Sequence, residues 1–381
     1  MQPGHHSLYV RTDVLAAERA AVFGRGWLCV GLVAEVSEPG SVMVREVGSL
    51  HDDALLSVVI VRDAHGSLRA FRNACPHRGA EVVEADCRTA ARFVCPYHAW
   101  VFRLDGTCVG APHMQGAVEA DGSPFDAARH GLPELPLAEW QGFVYVCLGS
   151  PAPPPPTESL GELSGVLDRY AIAGYVPVAG GADVWNTNWK CLLENFLDAY
   201  HVFKVHAGTF AADSDSTGST TVYPGGDGFT YHVGVDDPHS AYGVAHAANT
   251  RLEGTWRHSV VLAAVYPAHV MQVQPDWMWS LSLSPLGVGR VHLRWWLAVA
   301  PEMWADEPRR PELLQRTLSL LDAVNAEDRP VVEGVWRAMH HRDVPNGPSS
   351  RLEGNVRDIQ RWLLAQLTPL IDLASEGAPD S

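Results

Sequence analysis

Two short loops, each pairing one cysteine with one histidine, constrain this chain more than any other feature. The first reads C-P-H at residues 75–77 and the second C-P-Y-H at residues 95–98, with seventeen residues between them. A zinc finger usually groups its cysteines in one loop and its histidines in another. The mixed pairs instead suit a two-iron, two-sulfide cluster, with Cys75 and Cys95 on one iron and His77 and His98 on the other. A structural zinc site is the alternative.

Composition indicates a globular protein and excludes two classes of binding partner. The chain has 381 residues, of which 46% are hydrophobic, and 44 acidic residues against 28 basic ones give a net charge of −16. Such an acidic protein repels phosphate backbones and anionic lipid, so neither nucleic acid nor a membrane is an expected partner. No apolar run reaches the roughly 20 residues of a membrane span, and the N-terminus has no signal-peptide pattern. We therefore expect a cytoplasmic protein.

The pattern along the chain predicts two domains and a lead-in. Residues 1–35 are expected to form a helical lead-in, with helix over 8–35, and 36–150 a small antiparallel β domain whose β-branched runs are broken by turns. A proline-rich run at 151–156 cannot continue a helix or a central strand, so it marks the boundary. Residues 157–381 mix helical stretches (189–206, 311–340, 355–368) with strands between 255 and 300. A sheet with long helices packed on it, an α+β fold, is the simplest architecture.

A second group of candidate ligands lies in the predicted helix 189–206. Glu194, Asp198 and His201 follow at i, i+4 and i+7, which places them on one helix face. His206 is five residues beyond His201, so both face one metal only if the helix ends or unwinds between them. Two histidines with one carboxylate form the facial triad of non-haem Fe(II) oxygenases. We choose Asp328 as the carboxylate, because Pro330 should distort its helix, with Asp322 or Glu327 as alternatives.

The motifs together resemble those of Rieske non-haem iron oxygenase large (α) subunits. The two Cys-His loops look like a Rieske [2Fe–2S] domain, and N-W-K…E-N-x-x-D-x-Y-H-x4-H at 188–206 and E-D-x4-E at 327–333 resemble the catalytic domain. The resemblance implies a helix-grip (Bet v 1/START-like) catalytic domain with iron held by His201, His206 and Asp328. It also implies catalytic roles for Asn195 and for Asp198, which would bridge His98 of one subunit and His201 of the next in a homotrimer.

The function that this resemblance implies is an oxygenase component. It would take electrons from NAD(P)H through a separate ferredoxin or reductase, and use O₂ to hydroxylate, dihydroxylate or demethylate a small organic substrate, aromatic by preference, in aromatic catabolism. The alternatives are N-demethylation of a betaine-like quaternary amine, a Rieske electron-transfer protein without oxygenase activity, and a zinc-stabilised binding protein.

The substrate pocket is expected between the strands at 255–300 and the loop after His206, which includes the polar segment 211–228. Aromatic side chains in those strands suit flat rings by stacking and quaternary ammonium groups by cation–π contact. At least half of them are expected to be sheet core instead. They are Trp256, Tyr266, Trp277, Trp279, Trp295 and Trp296.

Overall fold

The computed structural model describes residues 6–210, 219–240, 243–341, 344 and 347–371. Residues 211–218 of the polar segment after His206 therefore lie outside the described residues. Within the described chain, no helix is both long and apolar enough to cross a membrane.

Strands and helices are numbered in chain order through the described residues. The strands β1 to β17 are Leu28–Leu32, Val42–Gly48, Leu55–Arg62, Leu68–Arg72, Phe93–Val94, Val101–Phe102, Cys108–Gly110, Glu134–Leu135, Leu137–Trp140, Phe143–Val146, Val176–Trp185, Thr220–Tyr223, Phe229–Val235, Ser259–Val265, His269–Val273, Trp277–Pro285 and Val291–Val299. The helices α1 to α9 are Ser7–Val10, Thr12–Glu18, Pro156–Ser159, Gly161–Leu167, Trp189–Leu197, Val202–Val205, Pro301–Ala305, Arg310–Ala338 and Gly354–Leu367.

The N-terminal half forms the small antiparallel β domain that the sequence predicts. One sheet has the order β2-β3-β4-β8 and a second has the order β5-β6-β7. The first Cys-His loop follows β4 and the second connects β5 to β6, so both loops extend from the ends of paired strands. A third sheet, β1-β10-β9, lies beside them.

The two Cys-His loops have the same backbone hydrogen bonds, although only one of them contains glycine at the critical position. The Cys75 amide donates to Ala80 and the Gly79 amide donates back to Cys75; likewise Cys95 donates to Trp100 and Ala99 donates back to Cys95. The fourth residue after each cysteine has positive φ, 77° at Gly79 and 55° at Ala99. A non-glycine residue in this left-handed region is strained, so the fold holds the second loop in shape.

The C-terminal half is built on a seven-stranded antiparallel sheet with the order β11-β17-β16-β15-β14-β13-β12. Helices α5 and α9 contact its strands, and α8 packs against α5. The α+β class and the packing of long helices on an antiparallel sheet are confirmed. The helices predicted at 311–340 and 355–368 are α8 and α9, and the strands predicted between 255 and 300 are β14 to β17.

The lead-in is less helical than predicted. Helix α2 continues as a π-helical turn only to Phe23, and Leu28–Leu32 is strand β1, paired with Phe143–Val146. All five residues of β1 are buried, and a strand satisfies their backbone groups by pairing with β10. The limits 1–35, 36–150 and 157–381 stay predictions.

A buried polar cluster joins the lead-in to α5. The Lys190 ammonium forms an ion pair with the Glu18 carboxylate, and Trp189 Nε1 donates to the other Glu18 oxygen at 2.8 Å. Asn188 also donates to the backbone carbonyl of Tyr9 at 2.9 Å. The helix that leads to the candidate iron ligands is therefore fixed by residues far away in the sequence.

Candidate metal centre and cavity

Helix α5 ends before the candidate ligands, which corrects the prediction of one helix over 189–206. It begins after Asn188, whose side chain caps the Lys190 amide, and it ends at Leu197. Asp198 has extended backbone angles, and its carboxylate accepts a 2.6 Å hydrogen bond from the Tyr200 amide. Local side-chain bonding of this kind competes with helix continuation. Glu194, Asp198 and His201 therefore do not share one continuous helix face.

The break lies before His201, not between His201 and His206 as the spacing suggests. A short helix, α6, separates the two residues, with His201 at its N-terminus and His206 at its C-terminus. This turn brings both rings to one point, where the two Nε2 atoms lie 3.2 Å apart.

Asp328, from the middle of α8, completes the group. Its Oδ1 atom lies 3.2 Å from His206 Nε2 and 3.5 Å from His201 Nε2. The ligand atoms of the three residues all lie within 4.8 Å of one another. Of the three carboxylates considered from the sequence, Asp328 is therefore the one that the structure brings to the Nε2 atoms of both histidines.

The second nitrogen of each histidine faces another carboxylate. His206 Nδ1 lies 2.8 Å from Glu327 Oε2, which also accepts a 2.7 Å hydrogen bond from Thr209 Oγ1. His201 Nδ1 lies 3.4 Å from Asp198 Oδ2. The Glu327 carboxylate holds His206 Nδ1 protonated, so the Nε2 lone pair of His206 points to the common centre. The Asp198 carboxylate lies close to His201 Nδ1 but makes no hydrogen bond to it.

The charges of the group are strongly coupled. Burial disfavours a charged His201, but the Asp198 and Asp328 carboxylates outweigh burial and raise its pKa to about 9. Burial likewise opposes ionisation of Asp328, but His201 and His206 lower its pKa to about 2. Positive charge is therefore favoured at this point, and a bound cation would take the place of a proton on the imidazoles.

This donor set fits a divalent transition metal. Asp328 Oδ1 is buried and has no hydrogen-bond donor in the described structure, although two ring nitrogens lie within 3.5 Å of it. Two imidazoles and one carboxylate leave other coordination positions open, as non-haem Fe(II) sites require.

A cavity of about 180 Å³ opens directly from this group. Asn195, Asp198 and the three clustered residues lie in its wall, and Thr209 and Phe210 line it from the segment after His206. A cavity therefore lies where the sequence predicts the substrate pocket, between the later strands and this segment.

The floor of the cavity is one face of the seven-stranded sheet. The strand register aligns His232, Leu262, Gln272 and Trp279 across four neighbouring strands, and all four line the cavity. The cavity is also lined by Gly234, Val260 and Gln274, which lie two positions along the chain from His232, Leu262 and Gln272. Alternate residues of a strand share a face, which explains this spacing.

Three of the six aromatic residues considered from the sequence are core away from the cavity, in line with the expectation of at least half. Trp279 lines the cavity and contacts Phe196, with ring centroids 5.6 Å apart. Trp296 pairs with Ser280, one residue out of phase with Trp279, and lies on the opposite face of the sheet. Trp277 is fully buried, and Tyr266 packs on Trp362.

The two Cys-His loops meet at the other candidate centre. Cys75 and Cys95 are both buried, and the His77 and His98 rings lie 4.6 Å apart. Burial raises the pKa of the Cys75 thiol, and the adjacent Cys95 thiol raises it further. His77 Nδ1 is buried without a hydrogen-bond partner in the described structure, as expected for an atom that binds a metal. Two thiols and two imidazoles fit a mixed-ligand [2Fe–2S] cluster.

Trp100 shields this centre from one side. Its indole is 2% exposed and stacks on the His77 ring at 4.9 Å with an interplanar angle of 5°. His98 lies at the surface beside Tyr97, which is 64% exposed.

Sequence reasoning missed the polar residues of the cavity floor and the contacts of Glu327 and Thr209. His232 and Gln272 belong to strands whose alternation was visible, but an isolated polar residue in a strand does not show which face it occupies. Nothing in the sequence pairs Thr209 with Glu327, which are 118 positions apart.

Comparison with known protein families gives two matches that together cover most of the chain. Residues 26–133 match the Rieske [2Fe-2S] domain. Residues 167–368 match the catalytic domain of the ring hydroxylating alpha subunit. The first match contains both Cys-His loops, and the second contains His201, His206 and Asp328.

Several curated proteins are similar in sequence. The N,N-dimethyl phenylurea N-demethylase subunit alpha of Sphingobium sp. (strain YBL2) is 33% identical over 251 residues, 61% of this chain and 52% of that protein. The carnitine monooxygenase oxygenase subunit of Acinetobacter baumannii is 30% identical over 52% of this chain and 51% of that protein. The chloroplastic choline monooxygenase of Amaranthus tricolor is 26% identical over 93% of this chain and 75% of that protein. The chain thus spans about half the length of the first two relatives.

Solved structures share the fold over nearly the whole chain. A quaternary ammonium Rieske monooxygenase superposes with a TM-score of 0.76 at 22% identity, covering 95% of this chain and 93% of that one. Naphthalene 1,2-dioxygenase from Rhodococcus sp. superposes with a TM-score of 0.77 at 20% identity, covering 96% and 95%.

Proposed function

The chain belongs to the family of ring-hydroxylating oxygenase alpha subunits with a Rieske domain, and from this membership we propose that it is the oxygenase component of a Rieske non-haem iron enzyme. In this proposal Cys75, His77, Cys95 and His98 hold a [2Fe–2S] cluster. His201, His206 and Asp328 hold a mononuclear Fe(II).

The observation that carries the proposal is the convergence of His201, His206 and Asp328 in the wall of a cavity. An iron bound there supplies dioxygen activation, and the Rieske cluster supplies electrons one at a time. The protein holds the His206 imidazole in one tautomer through Glu327, and it places the Asp198 carboxylate 3.4 Å from His201 Nδ1. Its apolar wall, which includes Phe196, excludes bulk water from the reacting substrate.

We place Asp198 between two subunits. Its side chain is 21% exposed while it contacts His201, so a second imidazole can approach it from outside. Tyr200 and Phe203 next to it are 48% and 49% exposed, and Tyr97 beside His98 is more exposed still. Apolar surface beside both candidate residues supports burial against a second copy of the chain. We propose a ring in which His98 of one subunit meets Asp198 of the next, with three subunits as the family resemblance implies.

The electrons come, in this proposal, from a separate ferredoxin or NAD(P)H-dependent reductase. The net charge of −16 favours a partner that presents a basic patch. A cytoplasmic location stays a prediction.

The cavity suits a small, largely apolar substrate. Its volume of about 180 Å³ is on the scale of a ~150 Å³ protein cavity that holds benzene. Trp279, Phe196 and Phe210 offer aromatic surfaces to a single ring. Hydroxylation of an aromatic ring within aromatic catabolism is the first candidate. N-demethylation is the second, supported by the relative named as a phenylurea N-demethylase. The carnitine and choline monooxygenases add relatives that act on compounds with a methylated nitrogen.

Metal analysis separates the oxygenase from an electron-transfer protein. The oxygenase requires three iron atoms and two acid-labile sulfides for each chain, whereas an electron carrier requires two irons. Asp328→Ala is expected to lose one iron while the cluster spectrum persists. Retention of all three irons in this variant would move the third ligand to another carboxylate.

Turnover tests the rest of the proposal. Purified protein with a surrogate reductase is screened against aromatic compounds and methylated amines, and oxygen uptake is matched to product. Asp198→Asn should keep both metals but lose turnover, because the asparagine cannot carry the carboxylate's charge between two imidazoles. Normal turnover by this variant would contradict the bridge.

A further inference from the structure

His232 is a polar residue of the cavity floor, and its hydrogen bonds show which ring nitrogen carries the proton. It belongs to β13, is 3% exposed, and lines the cavity. Its Nδ1 atom lies 3.0 Å from Oδ1 of Asn355, a fully buried residue of α9.

Asn355 determines which nitrogen of His232 carries the proton. Asn355 Nδ2 donates to the Tyr231 carbonyl at 2.8 Å and to Thr230 Oγ1 at 2.6 Å. A carbonyl only accepts, so the amide group cannot be turned around. Asn355 Oδ1 is therefore the acceptor that faces the ring, and His232 Nδ1 donates to it.

The other ring nitrogen is then a bare acceptor. Burial lowers the pKa of His232 to about 4, so the ring is neutral near pH 7 and Nε2 has no proton. Within the described chain, Nε2 has no hydrogen-bond partner. Nε2 is open to the cavity, and a ligand that fills the cavity without donating to Nε2 would leave this acceptor desolvated and unpaired, which is costly.

The remaining polar groups of the cavity agree with a ligand that donates hydrogen bonds. Among the described residues that line it there are four carboxylates and neither lysine nor arginine. Gln272, in the same cross-strand row as His232, is 5% exposed and has no hydrogen-bond partner within the described chain. Leu262 lies between the two and presents an apolar surface. A ligand carboxylate would meet like charges here, although the Gln272 amide can donate as well as accept.

We propose that His232 selects the substrate by accepting a hydrogen bond at Nε2 from an N–H or O–H group that lies beside the reacting carbon. The site thus takes neutral or cationic molecules with such a donor on an apolar body, and it rejects carboxylates. Asn355 is a positioning residue that acts through His232. This inference rests on the proposed function, because it assigns the cavity to the substrate.

The test measures equilibrium binding by calorimetry, with the holoprotein under conditions without turnover. The probes are matched pairs that differ by one methyl group on the donor: N,N-dimethyl-N′-phenylurea against its N′-methyl derivative, acetanilide against N-methylacetanilide, and phenol against anisole. Benzoate serves as the carboxylate probe. We expect the donor member of at least one pair to bind about 5- to 150-fold more tightly, the range for leaving a buried acceptor unpaired, and benzoate not to bind.

Variants assign the selectivity to His232. His232→Leu should bring the two members of a pair to within about threefold, while His232→Gln, which keeps an acceptor, should retain part of the preference. His269→Leu is the matched control: His269 is equally buried in the same sheet and loses a 2.8 Å contact to Tyr145, but it does not line the cavity. It should keep the wild-type ratio. If His232→Leu does not fold, His232→Gln and the wild-type ratios still decide.

Equal binding of both members of every pair, no binding of any donor probe, or preferred binding of benzoate would overturn the proposal. The proposal would also be overturned if the ratio of the two affinities within a pair fell as much in His269→Leu as in His232→Leu. These outcomes are separate from failure of the oxygenase function, since binding needs no electron donor. Selective binding without oxygen-dependent product would reject the oxygenase function and keep the role of His232 in selection. Turnover without selective binding would keep the oxygenase function and reject that role.

Discussion

Removing the Glu327 carboxylate is expected to weaken iron binding without altering any of the three candidate ligands. Glu327 lies 2.8 Å from His206 Nδ1 and accepts a second hydrogen bond from Thr209 at 2.7 Å. These contacts hold the His206 ring so that Nε2 faces Asp328 at 3.2 Å. In Glu327→Ala the ring can rotate and Nδ1 loses its charged partner.

The magnitude follows from the type of bond that is lost. A hydrogen bond to a charged group contributes about 1.5–3 kcal/mol. The Glu327 side chain is 28% exposed, so solvent replaces part of the interaction and the lower half of this range applies. A loss of about 1.5–2 kcal/mol weakens iron binding by about 10- to 30-fold, which agrees with the effect of removing carboxylates that orient ligating histidines. Glu327→Gln keeps an acceptor and should lose less than about fivefold.

The assay is competition for Fe(II) against a chelator of known affinity, with the absorption of the Rieske cluster as an internal measure of folding. Glu333→Ala is the matched control, because Glu333 is on the same helix but pairs with Arg329 at 3.1 Å. Iron affinity within twofold of wild type in Glu327→Ala, or an equal loss in Glu333→Ala, would refute the reasoning.

Three further predictions concern stability. Lys190→Met leaves the Glu18 carboxylate buried without its cation and should lower the free energy of unfolding by about 3–5 kcal/mol; a denaturant curve that shows less than about 1 kcal/mol would contradict it. Burial raises the pKa of Glu194 from 4.5 to about 7, so the folded protein binds this proton more tightly than the unfolded chain and loses stability as pH rises between these values. The free energy of unfolding of Glu194→Gln should therefore rise by about 3 kcal/mol relative to that of the wild type between pH 4.5 and 7.5. A difference in free energy that stays constant over this pH range would show that the carboxyl is not buried in this way. Gly106 has φ of 84°, and a Cβ there would lie 2.4 Å from the Phe71 ring, so Gly106→Ala should cost about 2–4 kcal/mol; an unchanged melting temperature would argue against that contact.

Much of the small domain could be predicted because its signals are local. The turn around each cysteine is set by a few neighbouring residues, so the C-P-H and C-P-Y-H motifs identify the loops and their chemistry. The alternation of β-branched residues with turns likewise predicts strands without knowledge of their partners.

The catalytic half was predictable in its elements and not in its geometry. Helical periodicity predicts one helix through 189–206, but the Asp198 carboxylate binds the Tyr200 amide and ends α5 early. Glu327 and Asp328 are adjacent in sequence, and about 100° of helical rotation separates them. Which of them meets the Nε2 atoms of both histidines depends on how α8 packs against α5.

The sequence by itself determined the kinds of ligand, the two centres and the class of fold, because residue chemistry and short-range periodicity are properties of neighbouring residues. Tertiary structure alone decided that Asp328 meets His201 and His206, that Trp279 lines the cavity while Trp296 does not, and that Asn355 leaves one nitrogen of His232 bare. Each of these facts depends on strand register or helix packing between residues far apart in the chain, and a single strand or helix does not specify its own neighbours.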